Sequence, residues 1–308
     1  MKKIIITGCN GFIGRSLVLY FISQDYFVIG IGRNNLPDKI PDMQNYKYYK
    51  LNLPSKIIDD LLIKYQPDYV IHAAGPSSIS ESLENPSIDF SASVNNLFSL
   101  LDGIRKHSPT TKVIFLSSAA VYGNAKVLPI SEESHIKPIS PYGYHKYLCE
   151  IIIDEFYQLY NLQSCILRIF SVYDQGLKSR IFWDLCKKSQ KSKKVSLFGD
   201  GNETRDFIHM KDVMNAINLV LEKGNYNAIR YNIASGKEVK IRDLVNTIIN
   251  NLNYGNEIQF SNQKRKGDPD QWVADIGKIR NLGFNPVISI ESGLNEYTKW
   301  FLKEFNHQ

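Results

Sequence analysis

Tyr142 and Lys146 stand four positions apart in the run Pro141-Tyr142-Gly143-Tyr144-His145-Lys146. Behind them Leu148, Ile151, Ile152 and Phe156 recur at helical spacing, which predicts an amphipathic helix with the phenol and the ammonium on one face. A cation beside a phenol favours the phenolate, so the pair can move a proton near neutral pH. A second set of residues suits phosphate. In Ile4-Ile5-Ile6-Thr7-Gly8-Cys9-Asn10-Gly11-Phe12-Ile13-Gly14 an apolar run breaks into evenly spaced glycines and continues as a helical pattern through Leu17 and Phe21. A strand that turns on glycines into a helix offers unpaired backbone N–H groups and a positive dipole end to a pyrophosphate. Gly8 serves the tight turn, Gly11 the approach of phosphate to backbone, and Gly14 the closing of helix on sheet. Asn10, Phe12 and Ile13 complete that turn. Arg205 and Arg265 add planar cations that can grip a phosphate bidentately, although Asp206 and Asp268 offer each a plain surface ion pair instead.

Such groups need a scaffold. Apolar, β-branched or aromatic runs at Ile4–Thr7, Phe27–Ile31, Tyr46–Leu51, Tyr69–His72, Lys112–Ser117 and Ser164–Ile169 alternate with helical patterns. That alternation predicts an α/β fold, a Rossmann-type doubly wound parallel sheet with crossover helices. After Arg168 the rhythm becomes irregular. We expect a dinucleotide-binding domain over 1–170, with 206–236 returning to the sheet, and a smaller C-terminal substrate-binding lobe over 171–205 and 237–308. Ser289 is placed to cap a closing helix. Ligands of doubly wound folds bind at the carboxyl ends of the strands, which here predicts a cleft between the lobes. The second run ends Gly30-Ile31-Gly32-Arg33. An acidic residue there would accept hydrogen bonds from an adenosine ribose, whereas an arginine suits a 2′-phosphate, so Arg33 favours NADP over NAD unless it is a plain loop arginine.

Several ordered motifs join these. They are Ser117-Ser118-Ala119-Ala120-Val121-Tyr122-Gly123 ahead of the Tyr142 segment, His72-Ala73-Ala74-Gly75, Gly199-Asp200-Gly201 before Arg205-Asp206-Phe207-Ile208-His209, and Arg265-x-Gly267-Asp268. With them the chain resembles the extended short-chain dehydrogenase/reductase family of nucleotide-sugar epimerases, dehydratases and reductases over nearly its whole length. The resemblance implies that Tyr142 is the acid/base, Lys146 its electrostatic partner and a ribose ligand, and Ser118 the hydrogen-bond partner of the reacting sugar oxygen. It places Ala73, Ala74 and Gly75 along the cofactor, with Asn52 and Leu53 where the family often has an aspartate beside adenine. It assigns the diphosphate of a nucleoside-diphosphate sugar to Arg205 and Arg265, with Lys178 and Arg180 as weaker candidates, and the base to the backbone near Leu197. Ser171 stands where an asparagine is usual, and Asp174 where a glycine is. Similar enzymes pair the Tyr142–Phe156 helix and the one around Leu97–Ile104 into a homodimer.

Similar dehydratases carry an Asp-Glu pair directly after the strand-end hydroxyl residue, and here Ala119 and Ala120 hold those places. Dehydration is therefore not expected. We expect reduction of the C4 keto group of a nucleoside-diphosphate 4-keto-6-deoxyhexose by NADPH, with a 4-epimerase holding NAD as the alternative. Surface-polysaccharide precursor synthesis is the family's common setting.

At 308 residues with 43% apolar content the chain can bury a sizeable core. Met1-Lys2-Lys3 runs straight into a strand and no apolar run reaches membrane-spanning length, so a cytoplasmic protein without a membrane partner is expected. Cys9, Cys149, Cys165 and Cys186 have no metal-ligand spacing and read as buried reduced thiols. The net charge of +6 comes from scattered lysines apart from a cluster between Lys187 and Lys194. That cluster reads as a solvated helix end rather than a nucleic-acid surface.

Overall fold

The computed structural model describes residues 1–35 and 44–305. It divides into two compact units, one made of 1–123, 136–169 and 217–231, the other of 124–135, 170–216 and the chain from 232 onward.

The first unit is built on six strands with apolar, mostly β-branched centres: β1 (Lys3–Thr7), β2 (Phe27–Gly32), β3 (Tyr46–Lys50), β4 (Tyr69–His72), β5 (Lys112–Ser118) and β6 (Ser164–Ile169). Each lies within a residue of the run that predicted it. A seventh strand, Asn227–Ile233, joins the edge beside β6, giving the order Asn227–Ile233, β6, β5, β4, β1, β2, β3. The six pair in parallel, with Thr7 opposite both Ile31 and His72, and His72 opposite Phe115. Both faces of such a sheet must be covered, which is why Ile4, Ile5 and Ile6 are all fully buried instead of alternating in and out. Ile5, Val70, Val113 and Ile166 share one cluster with Leu97, Leu101 and Ile104 of the helix Asn96–His107 and with Ile153 and Phe156 of the helix Pro141–Tyr160. The strand order reverses between β1 and β4, so the chain leaves their carboxyl ends toward opposite faces of the sheet. In open parallel sheets the crevice between two such ends is the ligand-binding place.

The second unit is assembled from shorter pieces. Phe207–His209 pairs in parallel with Ser171–Tyr173, and Glu257–Phe260 with Lys194–Leu197. Helices Arg180–Lys191, Ile241–Leu252 and Ile290–Phe305 accompany them. Ser289 caps the last, its Oγ accepting the Ser292 N–H at 3.1 Å. The domain boundaries differ from the sequence expectation for a local reason. Phe207–His209 bonds to Ser171–Tyr173, and 206–216 falls in the second unit while 217–231 falls in the first. Residues 124–135 join the second unit through the Ile130 pairing with Ala274.

Candidate active site

The glycine turn follows directly from steric limits. Gly8 has φ of +69°, a left-handed conformation, and a Cβ there would stand 2.7 Å from the carbonyl oxygen of Ala73. A Cβ on Gly14 would stand 2.1 Å from the Gly8 oxygen, so the helix Phe12–Ser23 can close on β1 only with glycine there. Gly11 is exposed and caps that helix without a side-chain bond, leaving the first-turn N–H groups, those of Phe12 and Ile13 included, facing outward. This cradle fits a dinucleotide pyrophosphate.

Next to it, the ends of β1 and β4 are tied together. Thr7 Oγ1 lies 2.9 Å from His72 Nδ1 and accepts the Ala74 N–H at 3.3 Å. His72 is buried, and its Nε2 has no hydrogen-bond partner among the described residues. Burial, with the Lys146 cation adding to it, lowers its pKa to about 3, so the ring is neutral. Ala73 and Ala74 are half-buried and Gly75 is exposed beyond them.

Ser118, Tyr142 and Lys146 all belong to the first unit. Ser118 ends β5 half-buried, its Oγ accepting the Ala120 N–H at 3.2 Å, so its own proton remains to be donated. Tyr142 and Lys146 lie in the first turns of Pro141–Tyr160, both buried. Lys146 Nζ donates to the Leu116 carbonyl at 2.9 Å and lies 4.9 Å above the Phe115 ring and 5.9 Å from the Tyr142 ring centre. A Cβ on Gly75 would stand 4.0 Å from that nitrogen, so the ammonium is held against the segment expected to line the cofactor.

Three contacts invisible in the sequence set this geometry. Ser140 Oγ accepts the Gly143 N–H at 3.2 Å, and Ser82 Oγ accepts the Tyr142 N–H at 3.1 Å. A Cβ on Gly143 would stand 2.6 Å from the Ala120 oxygen, so glycine lets the tyrosine helix lie against the turn after Ser118. Below them, Ser117 Oγ donates to Glu150 Oε1 at 2.6 Å, and the buried Glu150 carboxylate takes Arg168 Nη2 at 2.7 Å. Arg168 donates in turn to the hydroxyl of Tyr122 at 3.0 Å. The helix and the end of β5 are thereby locked by a paired charge in the interior, where losing one partner typically costs about 3–5 kcal/mol.

At the end of β2, Arg33 is exposed. Asn52 is exposed too, while Leu53 is half-buried and lines a cavity of about 320 Å³ with Ser87, Ile88, Ser91, Ala92 and Asn96. In the second unit, Arg205 is half-buried and lies 5.7 Å over the Trp272 ring, donating to the Thr204 carbonyl at 2.8 Å. Arg265 is exposed and lies 4.9 Å over Phe198. Leu197 is buried in its strand and Ser171 half-buried in the strand beside Phe207. Lys178 and Arg180 are exposed. The cysteines are all buried and free. Among the described residues no cluster of His, Cys, Asp or Glu could hold a metal, and no helix is long and apolar enough to cross a membrane.

A glycine cradle at a strand-to-helix turn, the residues Ser118, Tyr142 and Lys146 on the same doubly wound sheet and a second unit bearing arginines fit the extended short-chain dehydrogenase/reductase class. The chain belongs to the NAD dependent epimerase/dehydratase family, whose model matches residues 4–234. It is 30% identical over 302 residues to a Methanocaldococcus jannaschii protein that carries a provisional UDP-glucose 4-epimerase name, covering 96% of this chain and 97% of that one. Among solved structures, the Thermotoga maritima UDP-glucose 4-epimerase with UDP-glucose superposes with a TM-score of 0.90 at 28% identity, covering 98% of this chain and 99% of that one. The Bacillus cereus UDP-glucuronic acid 4-epimerase with UDP-glucuronic acid and NAD gives 0.91 at 25% identity, covering 98% and 100%.

Proposed function

We propose that the protein is a nucleotide-sugar 4-epimerase. The observation that carries this reading is the turn after β5. Ser118 ends β5 and Tyr142 and Lys146 lie in the helix that packs against that turn through Gly143, yet the two positions that follow Ser118 are Ala119 and Ala120, 0% and 5% exposed. Such a site can move a proton and a hydride at one carbon but has no acid with which to expel water. The 4-epimerase names of similar proteins support it over the expected ketoreductase.

The residues fit a dinucleotide: Gly8, Asn10, Gly11, Phe12 and Ile13 around its pyrophosphate, Leu53 and Asn52 beside adenine, Ala73 to Gly75 and Lys146 along its nicotinamide half. A bound nicotinamide would supply the hydride acceptor and donor for C4. Ser118 would donate a hydrogen bond to the C4 oxygen, and Tyr142 would take the hydroxyl proton as C4 becomes a ketone. After the sugar turns, Tyr142 gives the proton back. Lys146, 5.9 Å from the Tyr142 ring centre, sets a cation beside the phenol and would bind the nicotinamide ribose. Arg205 and Arg265 hold the diphosphate of the sugar nucleotide, with Leu197 and Ser171 beside the base and phosphates. A cytoplasmic homodimer working on surface-polysaccharide precursors belongs to the same reading.

One observation favours a second reading. Arg33 at the end of β2 suits NADPH, which a C4 ketoreductase would take from solution. The two separate in one experiment. Incubated with UDP-glucose or UDP-N-acetylglucosamine and no added cofactor, the purified protein should form the C4 epimer. No epimer, together with loss of reduced-nicotinamide absorbance in step with reduction of a 4-keto-6-deoxy sugar nucleotide, establishes the reductase instead.

A further inference from the structure

Arg205 and Asp206 are neighbours in sequence with opposite surroundings. Successive side chains of an extended segment point to opposite sides. Arg205 is half-buried, lies over the Trp272 ring and bonds among the described residues to carbonyls, those of Thr204 and Asp270, whereas Asp206 is fully buried. The surface ion pair that the sequence left open to Asp206 is not made. Its carboxylate instead gathers two other segments. Oδ1 accepts the Ser235 N–H at 2.8 Å and the Ser235 hydroxyl at 2.7 Å, and Oδ2 accepts the N–H of Gly236 at 2.9 Å and of Ala274 at 3.2 Å. Burial pushes its pKa up to about 6, against the pull of these donors, so at neutral pH the bonds are made to a carboxylate and are charge-assisted. Both segments lead back to Arg205. Two residues before Ala274, the Trp272 N–H donates to the Thr204 carbonyl at 3.2 Å, and the same carbonyl accepts Arg205 Nη1 at 2.8 Å. Two residues after Gly236, Glu238 Oε1 accepts the Thr204 hydroxyl at 2.7 Å, and Val239 next to it pairs with Arg205.

We propose that Asp206 is the positioning residue for Arg205, its carboxylate holding the Ser235–Gly236 turn and the Trp272–Ala274 segment where together they orient the guanidinium for a phosphate. A guanidinium grips phosphate bidentately only when its plane is set. An arginine side chain otherwise has much rotamer freedom to lose on binding. Seated on the Trp272 ring and the Thr204 carbonyl, Arg205 has lost that freedom before a ligand arrives, which leaves less ordering for the binding step. Gly236 belongs to the same device, because its φ of +72° lets successive N–H groups converge on one carboxylate. An amide at 206 would turn a donor of its own toward part of this set. The proposal rests on the reading that Arg205 holds the diphosphate of a sugar nucleotide.

Isothermal titration of the full chain with UDP-glucose and, separately, with NAD tests it. Asp206→Asn should weaken UDP-glucose about tenfold and leave NAD affinity unchanged. In turnover, KM for the sugar nucleotide should rise by the same factor while kcat stays within about twofold. Because the carboxylate acts through Arg205, the double variant Arg205→Ala with Asp206→Asn should bind UDP-glucose no more weakly than Arg205→Ala alone. Ser235→Ala removes one donor and keeps the charge, so it carries the same test if Asp206→Asn does not fold: a smaller loss on UDP-glucose that vanishes in the Arg205→Ala background. Losses that add to that of Arg205→Ala, or that fall equally on UDP-glucose and NAD, make Asp206 a general support of the fold and overturn the positioning role while leaving Arg205 its own. Unchanged UDP-glucose binding by Asp206→Asn overturns it as well. If Arg205→Ala binds UDP-glucose as tightly as the unaltered protein, or the unaltered protein does not bind it, the phosphate reading of Arg205 falls and the positioning role with it.

Discussion

Ser82 Oγ accepts the backbone N–H of Tyr142 at 3.1 Å while donating its own proton to the Ile79 carbonyl at 2.7 Å. The first turn of a helix has N–H groups without intrahelical partners, and here one belongs to the proposed acid/base itself. It is satisfied from a segment sixty positions earlier that follows directly on Ala73 to Gly75. The segment after Gly75 and the helix that carries Tyr142 are thus tied through the Ser82 hydroxyl. Ser82→Ala would leave a buried donor unpaired, at a cost of about 1–3 kcal/mol. We expect a lower unfolding midpoint and a several-fold drop in kcat with KM for the sugar nearly unchanged. An unaltered midpoint and kcat would show that water replaces the hydroxyl and that Ser82 positions nothing.

The Lys146 ammonium bonds to Leu116 O and also faces the Tyr142 ring and the Gly75 segment. Tyr142→Phe should lower turnover by about 10²-fold or more, the scale of a general acid/base group, while cofactor affinity stays close to that of the unaltered protein. Lys146→Met should damage both. Cofactor titration distinguishes them, and full-strength dinucleotide binding by Lys146→Met would remove the ribose role.

How far the sequence could be read depended on the range of the interaction. β1 to β6 were legible because a buried parallel strand writes itself as a continuous apolar run, and the glycine turn because Gly8 and Gly14 answer local collisions. Tyr142 and Lys146 were legible through helical spacing. The pairing of Phe207–His209 with Ser171–Tyr173 was not, since strands of three residues carry no periodicity and their partners lie across a long loop. Nor was Ser82, whose link to Tyr142 exists only once β4 and β5 are neighbours. The crowding at Gly32 was hidden for the same reason: Asn10 approaches it from the turn after β1 and Tyr48 from β3. The ketoreductase expectation leaned on Arg33, and a cation at the end of β2 bears on the choice of cofactor and not on the reaction at C4.

The helices Asn96–His107 and Pro141–Tyr160 expose a broad apolar surface. Phe98 is 46% exposed, Ile151 44% and Leu159 67%, more than scattered surface hydrophobics explain. Pairing of two such faces about a twofold axis would give a homodimer. Sedimentation at micromolar concentration should show a dimer, and Ile151→Glu, which sets a charge within that face, should shift it toward monomer. A monomeric unaltered protein at that concentration would leave this surface without the assigned partner.

His72 provides the last test. Its ring is buried against Phe115, at 6.1 Å between ring centres, and bonded through Nδ1 to Thr7. Burial first, and the Lys146 charge second, bring its pKa down to about 3. An unfolded histidine titrates near 6.5. Between these values the unfolded chain binds the proton and the folded chain does not, so folding stability rises with pH across this window and is lost on acidification. The slope for one such group is about 1.4 kcal/mol per pH unit. His72→Gln removes that proton while a carboxamide can still meet Thr7. Urea unfolding of both proteins at pH 7 and pH 5 should therefore show the variant losing less stability on acidification than the unaltered protein, by an amount set by that slope below pH 6.5. Parallel losses would mean that the His72 imidazole charges in the folded state, beside Lys146, and that its neutrality is no part of how the lysine's charge is kept for Tyr142.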